Sequence, residues 1–579
     1  MKISPKNVFL LLDIKNNWVL YWVGFFTFLL YLSISILYFQ PDTFWSPDEG
    51  AKFLQMQAIK LSKNSISFDI PYKGHLVDPE YIFALSEHPL DLLTLSDQKK
   101  LSFERLPIFP AATKPLFSLF GFVGLYVLPS LAGAFIPVVL LLIIPREKRN
   151  WLMWGLISFS SPIWIYSTIF WEHTIAVFIN LIAFLLLLKI KNNNQKPFQL
   201  FIYYSIAALL FCFSFFIRLE TLLLSIPFIT SCFVKQKQRR PWIILVAVYL
   251  VIFAFIYFRL HGFFFQGNNI PVNARYLFRP FDYIRSAGWN AIPDLLIGPE
   301  VNEAINTNWL GGLWTIGAII AIVHSLTRQQ SQTTRNLQYI GLSFCILASA
   351  WFLFNPNPYR SAHGLLFTTP WAIIGFTNML RVWDQHEERT NILILTISLG
   401  IILYSINMLF VRGSSPHGGL EWGARFAMGF YPLLATIATW DWLKQHVINI
   451  SLLIILALIG FGFQIRGIIT IHNDRQINLD INKEIQVIPE EHIASDLWWF
   501  LLNSAPSEPP KTIYSLQGFN EILEWINLLQ EYEINQFALV TLDRNLPWHF
   551  RLIHPELNTE VQEIIRVGDI WLFRLEINQ

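Results

Sequence analysis

The chain has 579 residues, of which 54% are hydrophobic and only 14% charged, with a formal net charge of +2. A soluble domain carries about 25% charged residues, so most of this chain is solvated by lipid, and its near-zero charge gives no basis for nucleic-acid binding. Its three cysteines, Cys212, Cys232 and Cys345, all lie in apolar runs, which argues against a disulfide framework and a cysteine metal site.

Lys2, Lys6 and Lys15 precede the first apolar run, 18–39, and no small-residue cleavage site follows it. That pattern predicts an uncleaved signal anchor. Further runs follow at 121–144, 151–170, 174–188, 198–217, 221–234, 242–258, 310–326, 337–354, 364–380, 392–410, 426–442 and 447–465. Together they predict a polytopic α-helical membrane protein with about thirteen transmembrane helices. Basic clusters at Arg146–Arg149, Lys189–Lys196, Lys235–Arg240, Arg328 with Arg335, and Arg381 with Arg389 then fall on one side. The excess of Lys and Arg makes that side cytoplasmic, with the N-terminus inside and the C-terminus outside. The expected location is the inner (plasma) membrane.

The outer connections hold nearly all the polar clusters: Asp48-Glu49, Glu104-Arg105, Glu172-His173, Arg275 with Arg279, Tyr359-Arg360, and Glu421 with Arg425. In the long first loop, 40–120, Ser46-Pro47-Asp48-Glu49-Gly50 opens a helix expected over 47–62. Ser46 suits the N-cap, Pro47 the first helical position and Glu49 the capping box. Capping explains Glu49 better than Asp48, because only the third helical position closes the box; a carboxylate here also suits an acid, base or ligand. The apolar spacing of Ala51, Leu54, Ala58 and Leu61 lets the helix lie flat on the membrane. A second long loop, 259–309, is rich in aromatics, as an interfacial belt or a grip on a sugar or lipid-linked ligand would be. Residues 1–468 therefore form the membrane domain, and 469–579 a small α/β extracytoplasmic domain. Its strands are expected at 512–516, 537–542 and 570–575, around a helix at 518–531.

Two functions fit a polytopic chain. A transporter or flippase places ionisable groups at mid-membrane, but the centres of these runs are nearly free of charge. Group transfer at the outer face needs a carboxylate to deprotonate an acceptor hydroxyl and cations to hold a departing phosphate, for which Arg is suited by its fork. Outside the cell no nucleotide-activated donor exists, so an activated sugar arrives on a lipid carrier.

Several segments resemble the GT-C glycosyltransferase superfamily, which contains protein O-mannosyltransferases and lipid A aminoarabinose transferases. Ser46–Phe53 is similar to its acidic first-loop motif, and Pro107-Ile108-Phe109-Pro110 running into Lys114-Pro115-Leu116 to its proline-rich loop end. Arg218-Leu219-Glu220 resembles an Arg-Pro-Glu element, with leucine for proline. Trp422-Gly423-Ala424-Arg425-Phe426, followed by Tyr431-Pro432, resembles a Trp-Gly-Pro-Arg-Phe segment, with alanine for proline. The resemblance implies an inverting transfer from a polyprenyl-phosphate sugar to a glycan, lipid or protein acceptor, with Asp48 as base and Glu49 in support. For the substrate it points to Arg425 first, then Arg360 and Arg218, with Glu104 and Arg275 among the outer-loop candidates. Arg218 and Arg425 are equally suited to pair with Glu220 and Glu421 as membrane-edge anchors. Some family members use a divalent cation, but the sequence has no diagnostic metal spacing.

Overall fold

A computed structural model describes residues 14–39, 42–61, 66–67, 73–80, 82–83, 93–95, 101–103, 107–189, 197–235, 249, 251, 309–325, 332–354, 364–383, 388–410, 422–440, 447–497, 499–504, 511–516, 519–553 and 559–577. In chain order the helices are α1 (Ile14–Ser33), α2 (Pro47–Ala58), α3 (Ile108–Phe120), α4 (Val123–Ile143), α5 (Trp151–Phe159), α6 (Ile163–Thr168), α7 (His173–Lys189), α8 (Pro197–Ile217) and α9 (Leu222–Lys235). They continue as α10 (Trp309–Ser325), α11 (Gln332–Phe354), α12 (Ala372–Trp383), α13 (Glu388–Phe410), α14 (Phe430–Ala438), α15 (Val447–Val487), α16 (Phe500–Asn503), α17 (Phe519–Glu531) and α18 (Leu546–Ile553). The chain divides into two compact units, Met1–Ile34 with Tyr126–Thr470, and Ser35–Leu125 with Ile471–Gln579.

Among the described residues, four helices are long and apolar enough to cross a membrane, those within Asn17–Tyr38, Val123–Ile143, Gln332–Phe354 and Val447–Val487. In the first unit, α10 and α11 meet at Gly317 and Gly341, where a Cβ on either would lie 2.5–2.6 Å from the other's carbonyl oxygen. Small residues permit that backbone approach, which lipid-embedded helices use in place of a hydrophobic driving force. Trp314 Nε1 donates to Ser349 Oγ across the pair (2.8 Å). The run 151–170, expected as one span, is instead α5 and α6. Ser160-Ser161-Pro162 interrupts it, because Pro162 removes a helical donor. Among its described residues, the stretch 426–442 forms the nine-residue helix α14 after a short 3₁₀ turn at Arg425–Ala427.

The second unit joins the first loop to the C-terminal segment. Its sheet is built from β5 (His492–Ser495), β6 (Thr512–Ser515), β7 (Gln536–Thr541), β8 (Thr559–Val567) and β9 (Ile570–Ile577), in the order β6-β5-β7-β9-β8. (Four short strands, β1 (Lys60–Leu61), β2 (Ile66–Ser67), β3 (Leu93–Leu95) and β4 (Leu101–Phe103), pair antiparallel, β1 with β2 and β3 with β4.) β5 runs parallel to β6 and β7, while β9 pairs antiparallel with β7 and β8. One apolar cluster joins Ala494, Tyr514 and Leu539 to Ile522 and Trp525 of α17. The other joins Ile493, Ile513 and Val540 to Ile481 and Ile485 near the end of α15. Val77 and Phe83 of the first loop belong to the α17 cluster, and Phe83 O accepts the Ser515 N–H (2.9 Å). Asp78 shapes that turn by accepting the backbone N–H groups of Ile82 (2.9 Å) and Phe83 (2.8 Å).

Two expectations change. Helix α2 is not an amphipathic helix exposed on a surface: nine of its twelve residues are buried, Lys52 and Gln55 among them. Helix α15 runs on to Val487, well past the end of its apolar run at 465. Hydropathy marks where lipid solvation ends, whereas the helix continues because no Gly or Pro interrupts it between Gly467 and Val487.

Candidate active site

In the second unit the two adjacent carboxylates have different surroundings. Pro47 begins α2 with Ser46 as N-cap, which places Asp48 and Glu49 in its first turn. Glu49 is completely buried. Its Oε2 accepts the backbone N–H groups of Trp45 (2.9 Å) and Ser46 (3.2 Å), and its Oε1 accepts Arg475 Nη2 (2.8 Å). Arg475 is equally buried, with its guanidinium 5.0 Å from the Phe39 ring centroid. Asp48 remains partly exposed, at the helix end whose dipole favours an anion.

The surrounding chain holds this turn tightly. Trp45 Nε1 donates to Asp474 Oδ2 (3.1 Å), and Asn478 Nδ2 donates to Phe44 O (2.9 Å). Gly50 lies so close to α16 that a Cβ there would sit 1.8 Å from Leu502 O; only glycine permits that approach. Lys114 Nζ of α3 donates to Ile59 O just beyond the end of α2.

In the first unit, three separate stretches converge. Arg218, at the end of α8, bridges two carboxylates: Nη1 donates to Glu172 Oε1 (2.8 Å), Nε to Glu220 Oε2 (2.9 Å) and Nη2 to Glu220 Oε1 (2.5 Å). Glu172 is 4% exposed and Glu220 15%. Arg425 begins a short 3₁₀ turn, its guanidinium 5.0 Å from the Trp171 ring centroid and 4.7 Å from that of Phe426. Backbone anchoring fixes that turn. Tyr166 Oη accepts the Trp422 N–H (3.1 Å), Tyr431 Oη accepts the Ala424 N–H (3.0 Å), and Gly423 takes φ +68°, packed on Pro162 and Thr368.

Several of these groups border a small cavity, open at its mouth. Arg218, Glu220, His173 and Arg425 supply its polar lining, while Ala176, Val177, Leu223, Leu224 and Phe430 make much of the rest apolar. Two arginines and two glutamates sum to zero charge. Arg218 is engaged by both carboxylates, and Arg425 lies against aromatic faces, which attract a cation.

The structure therefore brings Arg218 and Arg425 together with Glu172, Glu220 and His173. It places Asp48 and Glu49 in the other unit. Glu104, Arg275 and Arg360 lie outside the described residues. Arg475 escaped the sequence reading because it follows the last apolar run with no local motif. Trp171 and Phe426 were legible only as neighbours of charged residues. Among the described residues, no group of three or more His, Cys, Asp or Glu side chains could hold a metal ion.

No family model and no curated protein matches the chain. Among solved structures it is similar to ArnT from Cupriavidus metallidurans in the apo state, with 12% identity, a TM-score of 0.36, and 90% of this chain and 95% of that one covered. It is similar also to the same protein bound to undecaprenyl phosphate, with 12% identity, a TM-score of 0.39, and 97% and 98% covered. A third likeness is to the Archaeoglobus fulgidus oligosaccharyltransferase in the apo form, with 11% identity, a TM-score of 0.46, and 91% and 70% covered. Both proteins are GT-C members, the superfamily whose motifs the loops resemble. At TM-scores under 0.5 these likenesses leave the chemistry to be argued from this chain's own residues.

Proposed function

We propose that the protein is an integral-membrane glycosyltransferase that moves a sugar from a polyprenyl-phosphate donor to an acceptor on the extracytoplasmic face, with inversion. The observation that carries this reading is the division of labour between Asp48 and Glu49. Glu49 is committed to the cap and to Arg475, while its neighbour stays partly exposed in the same helical turn. A held backbone beside a partly exposed acidic residue suits an enzyme base.

In the proposed reaction the acceptor oxygen attacks the anomeric carbon as Asp48 takes its proton. The bond between that carbon and the carrier phosphate breaks, and the phosphate leaves with the electron pair. Arg425 is assigned to the phosphate and the apolar cavity wall to the first part of the carrier chain. Arg218 holds Glu172 and Glu220 at the polar end of that cavity. Arg360, Arg275 and Glu104 are assigned to further substrate contacts, and about thirteen spans place the N-terminus in the cytoplasm and residues 469–579 outside.

Sugar transfer from a synthetic polyprenyl-phosphate donor by purified protein tests the reading. Asp48→Asn keeps the shape and capping capacity, so it should fold normally and lose about 10²- to 10⁴-fold in rate. The lost charge at the helix end costs only about 0.3–1 kcal/mol of stability. Full activity in Asp48→Asn removes the assignment. Solute flux through liposomes without any transfer favours a carrier.

A further inference from the structure

Tyr38, Phe44, Trp45 and Glu49 dock along one stretch of α15. His472 stacks on Tyr38, ring centroids 4.2 Å apart, with its Nδ1 2.6 Å from Tyr38 O. Asp474 accepts from Trp45, Arg475 donates to Glu49, and Asn478 donates to Phe44 O. Of these, only Glu49–Arg475 is an ion pair with both partners fully buried. Such a pair is weak evidence for stability, since desolvation offsets the attraction. What it supplies is specificity of register, since the two charges satisfy each other only where Glu49 meets Arg475.

From this geometry we infer that Arg475 is the positioning residue for Asp48. It acts through Glu49 and fixes the rotation of the first turn of α2. The C-terminal segment is thus a seat for the acidic helix, in addition to any role of its own. Gly50 against Leu502 of α16 supplies a second point of that seat, because the backbone contact leaves no slack in the direction of α16. The inference rests on the proposed function for the role of Asp48, but not for the seating itself.

The test uses the full chain in detergent, with Arg475→Met and the double variant Glu49→Gln/Arg475→Met. Glutamine keeps the acceptor for the two backbone N–H groups, and the double variant removes the buried charge that the single one leaves behind. Two readouts are needed. Met56, on the buried side of α2, is 1% exposed; Met56→Cys, in a chain whose three native cysteines are buried, reports helix seating through its labelling by a hydrophilic maleimide. Loss of Arg475 should raise that labelling by about tenfold or more, as local opening exposes the helix. In the transfer assay, kcat should fall by about 10²-fold, the penalty of an ångström-scale misplacement, while the donor KM stays the same. The double variant should recover thermal stability without recovering kcat. Unchanged labelling in Arg475→Met overturns the inference, and so does recovery of kcat together with stability. A wild type that transfers no sugar at all defeats the glycosyltransferase reading instead, and the labelling result still decides the seat.

Discussion

Arg218 provides a sharp test of how charge is used in the first unit. Its guanidinium makes three bonds to two carboxylates, at 2.8, 2.9 and 2.5 Å. Arg218→Met strands Glu172, at 4% exposure, without this partner, and breaking a buried pair on one side costs about 3–5 kcal/mol. Glu220, more exposed at 15%, can turn toward water and adds no more than about 1 kcal/mol. Arg218→Lys keeps the charge but loses the fork, so it should forfeit one charged hydrogen bond, about 1.5–3 kcal/mol. The contacts of Arg425 with the Trp171 and Phe426 rings contribute about 0.5–2 kcal/mol. Thermal midpoints in detergent should therefore rank wild type, Arg218→Lys, Arg218→Met from highest to lowest. Adding Glu172→Gln to Arg218→Met should raise the midpoint, since it removes the stranded charge. A double variant as unstable as the sum of its parts would refute the buried-pair argument. If Arg218→Met were as stable as the wild type, Arg218 would be an open anion ligand and not a structural bridge.

Two further predictions concern the second unit and the topology. Burial holds His492, hydrogen-bonded to Tyr514 Oη (2.9 Å), below its ordinary value of 6.5, with the Glu491 charge opposing the shift. The folded state thus favours the neutral ring, and stability should fall as pH drops below 6.5 and level off beneath the lowered folded value. Amide exchange of β5 and β6 across that window, compared with His492→Gln, checks it; equal slopes would show that the ring is not responsible. For the topology, cysteines introduced at Asn193 and at the exposed Gln562 should differ in intact cells, with an impermeant reagent reaching only Gln562→Cys. The reverse pattern would invert the protein and remove the extracytoplasmic reaction.

Local signals in this chain were legible and long-range ones were not. Ser46-Pro47 announces a helix start, and α2 does begin at Pro47. The strands predicted at 512–516 and 537–542 lie at Thr512–Ser515 and Gln536–Thr541. By contrast β5, only the four residues His492-Ile493-Ala494-Ser495, is too short to stand out from the end of a long helix. The partner of Glu49 lies 426 positions away, and nothing local to Arg475 distinguishes it from the solvated arginines of any polar helix. The same holds for Val77 and Phe83, whose place in the α17 cluster is set by tertiary packing. Arg218-Leu219-Glu220 showed its internal pair in sequence. The contribution of Glu172 required the fold to bring α7 beside the end of α8.

The order of the two acids in the first loop follows from their lengths. A carboxylate at the third helical position must reach back over a turn to the N-cap amide, and here it also meets the Trp45 amide and Arg475. Glutamate has the extra methylene for that reach; aspartate at the same place would fall short of one or more of these partners. Position 48 has the opposite requirement. A short side chain at the second helical position cannot fold back on the amides its neighbour occupies, so its carboxylate stays near the positive end of the helix dipole. In the proposed role of base, aspartate would also lose little rotamer freedom, because it has few torsions to fix. Asp followed by Glu therefore suits an anchored glutamate beside a partly exposed aspartate, whereas Glu followed by Asp would lose that anchor. The formal charges are identical in both orders, so side-chain length and helical position, not charge, separate the two roles.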